Sequence, residues 1–347
     1  MDKIIILCPG DVISGGVNSL HNLCASLTRN GFNAAMYYFN AKPEIINSHQ
    51  ITSYNVNSHD GKLDEPGHII FVSESMTERV ASFSKAIKVV YWLGIKFYFK
   101  SPLWKPPFNK KIFRRLIKCR SYYGYSSGLI ESAKRKLNEF AKSEIDIWTD
   151  DFIHISNSHY VANYCLHKGA KNVHVLHNPI RDEFYEKDFG LKKRTKTILF
   201  GPKTPKLLVF FLRLFLKDYK IIQLRHLPFE QVVKLMSESV VFAEFGSNHG
   251  RDRMPREAAM LGCIVFMNTR GSSALNKDYK IDDQYKIIDK LINYPRIIKE
   301  IKKAAKNYEN QISDFGQFRD QLKNERANFD WEVNNVFQRI TDNFNKA

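Results

Sequence analysis

The residues best suited to chemistry stand between two apolar runs, residues 240–245 and 263–267, in the second half of the chain. Pro255 follows the polar loop after the first run and predicts the first position of a helix. Glu257 would then be the third helical residue, beside the unpaired backbone N–H groups of the first turn. A carboxylate there either stabilises the helix terminus or accepts two hydrogen bonds from a ribose diol at the mouth of a cleft. The spacing leaves both interpretations open.

The loop before Pro255 is rich in groups that contact phosphates and sugars. An imidazole in this loop would contact a sugar or a departing phosphate, and a solvent-facing histidine is the alternative. The loop consists of His249, Gly250, Arg251, Asp252, Arg253 and Met254.

A second loop carries two lysines. Gly201 follows the apolar run 197–200, and Lys203 and Lys206 stand immediately before a predicted helix. Two cations there would neutralise the charge that develops on a departing diphosphate without a metal. The alternative is that they are solvated surface residues, as most lysines are. Because the chain contains no D-x-D triplet, we expect no metal ion and no other cofactor.

A third loop contains adjacent glycines. Gly15 and Gly16 follow the apolar run 4–8 and precede apolar residues at helical spacing. Without a Cβ, both would let the backbone approach a bound ligand closely. A plain turn explains the pair equally well.

The elements around these loops alternate between strand and helix. Strands are predicted at residues 4–8, 34–39, 68–72, 88–92, 153–156 and 172–176, then at 197–200, 220–224, 240–245 and 263–267. Helices are predicted at 207–216, 229–237 and 255–261, and the chain from residue 284 onward is helical. This alternation indicates βαβ units and parallel sheets. We therefore predict an α/β fold.

The break at His177, Asn178 and Pro179 and the charged residues 182–194 indicate a domain boundary. We predict a first domain over residues 1–177 and a second domain over 178–325. A C-terminal helix over 326–347 would pack back toward the first domain. Two doubly wound domains in series place a cleft between the carboxyl ends of their strands, where helix N-termini present N–H groups to phosphate.

The composition narrows the class of protein. The 347 residues contain 53 basic and 36 acidic side chains, a net charge of +17, which indicates a polyanionic partner or only a lysine-rich genome. Five scattered cysteines form no C-x-x-C pair and favour a reducing, cytoplasmic setting. The longest apolar run, residues 207–212, is too short to span a bilayer, and the N-terminal run of four is too short for a secretory signal.

One segment combines basic charge with helical period. Residues 92–120 contain nine basic residues and no acidic one. This segment includes residues 108–120, from Phe108 to Arg120. On a helix, their apolar and basic side chains would lie on opposite halves of the surface. Such a helix either packs its apolar face in the core or lies on an anionic membrane surface, and the neighbouring aromatic residues favour the membrane.

The chemistry-bearing segments resemble a known family. Residues 257–262, Glu-Ala-Ala-Met-Leu-Gly, resemble the nucleotide-sugar signature of bacterial GT-B glycosyltransferases of the large retaining group 1 family. Residues 227–236 look like the helix before that signature, and the loop 225–228 lies where the family holds the base. Residues 200–206 resemble its diphosphate-clamping loop, and residues 14–18 its glycine loop. The resemblance covers most of the chain at low identity.

The resemblance implies two Rossmann-like domains facing a central cleft, of which the first (1–177) would bind the acceptor and the second (178–325) the nucleotide sugar. It also implies transfer of a hexose-like sugar from a nucleoside diphosphate sugar, with retention and without a metal. The acceptor would be a glycan or lipid-linked glycan in bacterial surface polysaccharide synthesis, such as lipopolysaccharide or capsule. The protein would be cytoplasmic, or peripheral on the inner face of the plasma membrane. Glu257 would hold the ribose, Lys203 and Lys206 the diphosphate, and the loop 249–254 the sugar and phosphate. Nucleic acid is not an expected partner.

The sequence departs from the family at two points. His249 stands where the family often has its first glutamate, and residues 89–94 offer no histidine after the strand. Two alternatives therefore stay open: a polyol-phosphate transferase on the same fold, and a catalytically silent relative that binds glycan or nucleic acid.

Overall fold

The computed structural model describes residues 3–95, 146–185, 194–246 and 248–344. The predicted membrane-facing helix at 108–120 lies outside these residues. In the described part of the chain, no helix has the length and apolar content needed to cross a membrane.

The first sheet consists of six parallel strands in the order β2-β1-β3-β4-β5-β6. They are β1 (Lys3–Pro9), β2 (Ala34–Phe39), β3 (His68–Ser73), β4 (Ile87–Trp92), β5 (Phe152–Ser156) and β6 (Val173–Val175). Its helices are α1 (Gly15–Arg29), α2 (Pro43–Ile46), α3 (His49–Thr52) and α4 (His159–His167), and a 3₁₀ turn covers Thr77–Arg79. Ser14 and Ser158 cap α1 and α4 by accepting a backbone N–H three residues on.

The second sheet consists of four parallel strands in the order β10-β9-β7-β8. They are β7 (Thr195–Phe200), β8 (Lys220–Gln223), β9 (Ser239–Glu244) and β10 (Ile264–Met267). Its helices are α5 (Lys206–Phe215), α6 (Phe229–Glu238), α7 (Arg253–Met260), α8 (Tyr294–Lys306) and α9 (Tyr308–Gln311). Short 3₁₀ turns lie at Asp182–Phe184, Ser272–Ala274, Asp283–Tyr285, Leu291–Asn293 and Ile312–Phe315. Two all-parallel sheets with packed helices confirm the predicted α/β class.

The start of α7 corrects one prediction. The helix begins at Arg253, two residues before Pro255, because Asp252 has the extended backbone of an N-cap residue (φ −59°, ψ 143°). Pro255 is therefore the third helical residue, where its missing N–H still costs no intrahelical hydrogen bond. Glu257 becomes the fifth helical residue rather than the third.

The last helix, α10 (Gly316–Phe344), belongs to both cores. Phe318 and Leu322 pack in the core of the second sheet, whereas Phe329, Val333 and Phe337 pack in the core of the first. The chain therefore crosses between the sheets twice, after β6 and again between Leu322 and Phe329. Arg326 in the second crossing forms an ion pair with Asp182 near the first, with Nη2 2.9 Å from Oδ2.

Candidate functional site

The carboxyl end of the second sheet holds a buried carboxylate. Glu244 ends β9, and its Oε1 accepts the Lys203 backbone N–H at 3.2 Å from the loop after β7. A Cβ built on Gly201 would lie 1.9 Å from Glu244 Oε2, so any larger residue there would displace the carboxylate. Burial raises the pKa of Glu244 to about 7, although nearby Lys203 opposes the shift. The only sequence signal for Glu244 is an acidic residue at the end of an apolar strand, which by itself does not distinguish a site residue.

Lys203 reaches from this loop toward the start of α7. Its Nζ lies 2.5 Å from Oδ2 of Asp252, the N-cap residue of α7, and both side chains are about one-third exposed. A Cβ on Gly246 would lie 2.2 Å from the Lys203 Cβ, so the two loops pack tightly. Lys206 is the first residue of α5 and is exposed, and its ammonium forms no ion pair with the described residues. The structure thus brings Lys203, and not Lys206, to the 246–252 loop.

Arg253 connects α7 with the glycine loop of the first sheet. Its Nε lies 3.9 Å from Oε1 of Glu257, and a Cβ on Gly15 would lie 2.9 Å from its Nη2. Glu257 is 7% exposed, and burial raises its pKa while Arg253, Arg256 and Arg181 oppose the shift. At the fifth helical position Glu257 lies beyond the first turn, so the helix-capping interpretation loses its basis. Its carboxylate instead lies beside Arg253, near the N-terminus of α1.

Arg251 does not face the cleft, although the sequence predicted that it would contact the donor sugar or phosphate there. Its guanidinium forms a two-pronged ion pair with Glu325 at 2.6 Å for each bond, and its Nε donates to the Asp278 carbonyl at 2.7 Å. The side chain is 3% exposed. Arg256 is also buried, donating to the Asn178 carbonyl at 2.7 Å. These two arginines hold the α7 loop to α10 and to the linker.

His249 and Gly250 contact the first sheet through their backbone. The His249 carbonyl accepts the Ile95 N–H at 2.9 Å, and a Cβ on Gly250 would lie 2.0 Å from the Leu93 carbonyl oxygen. Gly16 faces the same turn, since its Cβ would lie 3.2 Å from Leu93 Cδ1. The half-buried His249 stands at this junction between the sheets.

A second buried carboxylate supports that turn. Glu74 follows β3, and its two oxygens accept the N–H groups of Leu93 and Gly94 at 3.1 Å each. Burial raises its pKa to about 7. Glu74 and Glu244 therefore have the same role: each lies at the carboxyl end of a strand and holds the loop after the neighbouring strand.

Comparisons with known proteins establish the fold. The sequence matches no protein-family model and no curated protein. Sucrose-phosphate synthase of Thermosynechococcus elongatus matches over all of both chains with a TM-score of 0.62 and 10% identity. HepE of Anabaena in complex with UDP and glucose also matches over all of both chains, with a TM-score of 0.53 and 11% identity. A glycosyltransferase of Rickettsia africae matches over 98% of both, with a TM-score of 0.53 and 8% identity.

The chain has the GT-B fold. Identities this low establish the architecture and leave the reaction to be argued from the site. In GT-B terms, the first sheet is the centre of the N-terminal domain and the second that of the C-terminal domain. The loops that carry Gly15, Leu93, Lys203 and Arg253 meet at the cleft between them.

A cavity of about 380 Å³ opens beside Arg253, between the two GT-B domains. It follows the outer side of α1 and the linker after β6, and polar side chains dominate its wall. Its lining includes Asn18, Ser19, Asn22, Tyr54, Asn178, Arg181, Glu183 and Arg253.

Two histidines and an aspartate meet where α4 touches the C-terminal domain. One ligand atom from each of His159, His177 and Asp278 lies within 4.8 Å of the others. Both Asp278 oxygens already accept N–H groups, from His159 at 2.7 Å and Tyr160 at 3.0 Å. A helix N-terminus and the adjacent buried Arg251 also oppose a cation there. We interpret this cluster as a hydrogen-bonded contact between the domains.

Proposed function

We propose that this GT-B protein is a glycosyltransferase that uses a nucleoside diphosphate sugar. The observation that carries the proposal is that Arg253, with Glu257 beside it, reaches Gly15 at the N-terminus of α1, while Lys203 pairs with the preceding residue, Asp252. Cations, a carboxylate and free helix N–H groups are the set that a sugar diphosphate requires. Structural neighbours crystallised with UDP and with UDP-glucose support the donor class.

Each residue has a role in this proposal. Glu257 accepts hydrogen bonds from the ribose hydroxyls, and Lys203 contacts the diphosphate from the loop after β7. Lys206, three residues further on at the start of α5, provides a second cation at the rim. Gly15, Gly16 and Gly201 let the backbone lie close to the bound donor. The loop 249–254 contacts the sugar through Gly250, Asp252 and Met254. His249 faces the junction at which the reacting centre would lie.

The proposed chemistry uses protein cations where a metal would otherwise be needed. A leaving diphosphate gains negative charge in the transition state, so a nearby ammonium stabilises the transition state more than the bound donor. We propose retention of the anomeric configuration because the resembling families mostly retain.

The acceptor and the setting belong to the same proposal. We propose a glycan or lipid-linked glycan acceptor in bacterial surface polysaccharide synthesis. The enzyme would work in the cytoplasm or on the inner face of the plasma membrane, where residues 108–120 would adhere to anionic lipid.

Two observations favour a second candidate. Asp252 already neutralises Lys203, and His249 replaces an acidic residue of the family, as expected of a relative that binds sugar nucleotides without transfer.

Thermal shift against a panel of nucleotide sugars, followed by an assay of nucleoside diphosphate release, tests both candidates. We expect a donor-specific stabilisation, because binding to the folded state raises its melting temperature. We also expect release that is lost in Lys203→Ala and kept in Lys196→Ala, an exposed lysine near the opposite end of β7. Stabilisation without release would support binding alone, and the absence of both would overturn the proposal.

A further inference from the structure

The outer face of α5 is apolar although it is exposed. Against the described residues, Phe210 is 59% exposed and Phe215 is 56% exposed. A surface helix normally presents polar residues on this face. Leu207, Phe210 and Leu214 recur at helical spacing, so they form a stripe along the helix.

The stripe continues onto the turn before α8. The Phe211 ring packs against the Tyr294 ring, with centroids 5.9 Å apart, and this contact brings the start of α8 beside α5. Ile292, two residues before Tyr294, is 85% exposed, the highest value among the exposed large apolar side chains. We call the combined surface the α5 patch. Its members are Leu207, Phe210, Leu214, Phe215, Ile288, Leu291 and Ile292.

The charges around the α5 patch are predominantly positive. Exposed cations on and next to its two elements include Arg213, Lys217, Lys290, Arg296 and Lys299. Asp218 is exposed after α5 and Glu300 is half-buried on α8, whereas the Asp289 carboxylate is 2% exposed and bound by Arg270. A second copy of the chain would bring like charges together across the patch, whereas an anionic surface would complement them.

We propose that the α5 patch docks the C-terminal domain onto an anionic lipid bilayer. Phe210, Phe215 and Ile292 would enter the boundary between headgroups and acyl chains, and the surrounding lysines and arginines would contact lipid phosphates. Exposed aromatic and aliphatic side chains ringed by cations are the features of a helix that lies in a membrane interface. The proposal does not depend on the donor chemistry, because these three side chains are no part of the proposed site.

A residue-specific probe tests the docking directly. In a chain carrying C119S, the I292C variant is labelled with an environment-sensitive fluorophore, since Cys8, Cys24, Cys165 and Cys263 are buried. We expect a blue shift on adding vesicles that contain phosphatidylglycerol, and none with pure phosphatidylcholine. The matched control is L166C, because Leu166 is 52% exposed at the end of α4, away from the patch. No shift at position 292, or an equal shift at position 166, would overturn the proposal.

A second measurement separates lipid binding from protein association. We expect F210S with I292S to weaken vesicle binding at least fivefold, and W331S, a change at another exposed apolar residue, to have no such effect. The melting shift with nucleotide sugar should be the same in both variants. Unchanged vesicle binding would overturn the proposal. So would a dimer that F210S with I292S dissociates in the absence of lipid, since the patch would then bind a second copy.

Discussion

The Lys203 ammonium is paired with the Asp252 carboxylate at 2.5 Å. A diphosphate that reaches Lys203 must share this cation or displace the Asp252 carboxylate. The Asp252 carboxylate therefore weakens the attraction of the Lys203 ammonium for an anion in the cleft. The Asp252 side chain makes no capping hydrogen bond to α7, so changing it removes no helix cap.

We expect Asp252→Asn to increase donor affinity several-fold and Lys203→Ala to lower turnover by about 10²-fold with a smaller change in affinity. The asparagine removes a competing charge, and the alanine removes a cation needed most in the transition state. Steady-state kinetics of nucleoside diphosphate release measure both. Chelators should change nothing, and activity lost to a chelator and restored by manganese would refute the metal-free clamp.

We expect Glu257→Ala to abolish most nucleotide binding while the fold stays intact. Two hydrogen bonds from ribose hydroxyls to a buried carboxylate contribute on the order of a few kcal/mol. Calorimetric titration with the nucleoside diphosphate gives the affinity, and Glu257→Gln is the matched control because it keeps the shape and one acceptor. If Glu257→Ala binds nucleotide normally and only melts earlier, the carboxylate is structural.

The buried Glu244 carboxylate should make stability depend on pH. Its pKa is raised from an ordinary value of 4.5 to about 7, so the native state holds this proton more tightly than the unfolded state. The associated stability is fully present below about pH 4.5 and is lost as the pH rises through 7. The loss approaches about 3 kcal/mol. Urea unfolding between pH 4 and 8 should show a steeper decline for the native chain than for Glu244→Gln, and parallel curves would contradict this.

The Arg251–Glu325 pair should be structural. We expect Glu325→Ala to lower the free energy of unfolding by about 3–5 kcal/mol, because it leaves a guanidinium buried without its partner. The double variant R251M with E325L should recover most of that stability and bind nucleotide normally. Denaturant unfolding and calorimetric titration measure the two properties. A stable double variant that no longer binds nucleotide would show that Arg251 contacts the donor.

Local sequence patterns predicted the second sheet well. Its four strands and the helices α5, α6 and α7 begin and end within two residues of the predicted bounds. A parallel strand buried on both faces is a continuous run of apolar residues, and such a run can be recognised from the local sequence alone. The start of α7 was less accurate because proline fits any of the first helical positions and not only the first.

The site was less predictable because its decisive partners are distant in sequence. Arg251 forms an ion pair with Glu325, which is 74 residues away in the sequence. Glu74 accepts hydrogen bonds from the backbone of Leu93 and Gly94. No spacing rule connects such residues, since the topology of the sheets brings them together. Lys203 and Glu257 could be singled out because each stands beside a strand-to-helix loop.

The passage of α10 through both cores limits how the halves of the molecule can move. Two rigid bodies joined at one point keep three rotations, whereas bodies joined at two points keep a single rotation about the line between them. Here the joints are the segment after β6 and the stretch of α10 between Leu322 and Phe329. The Arg326–Asp182 ion pair lies along that line, where rotation changes distances least. Access to the cleft is therefore governed by one angle.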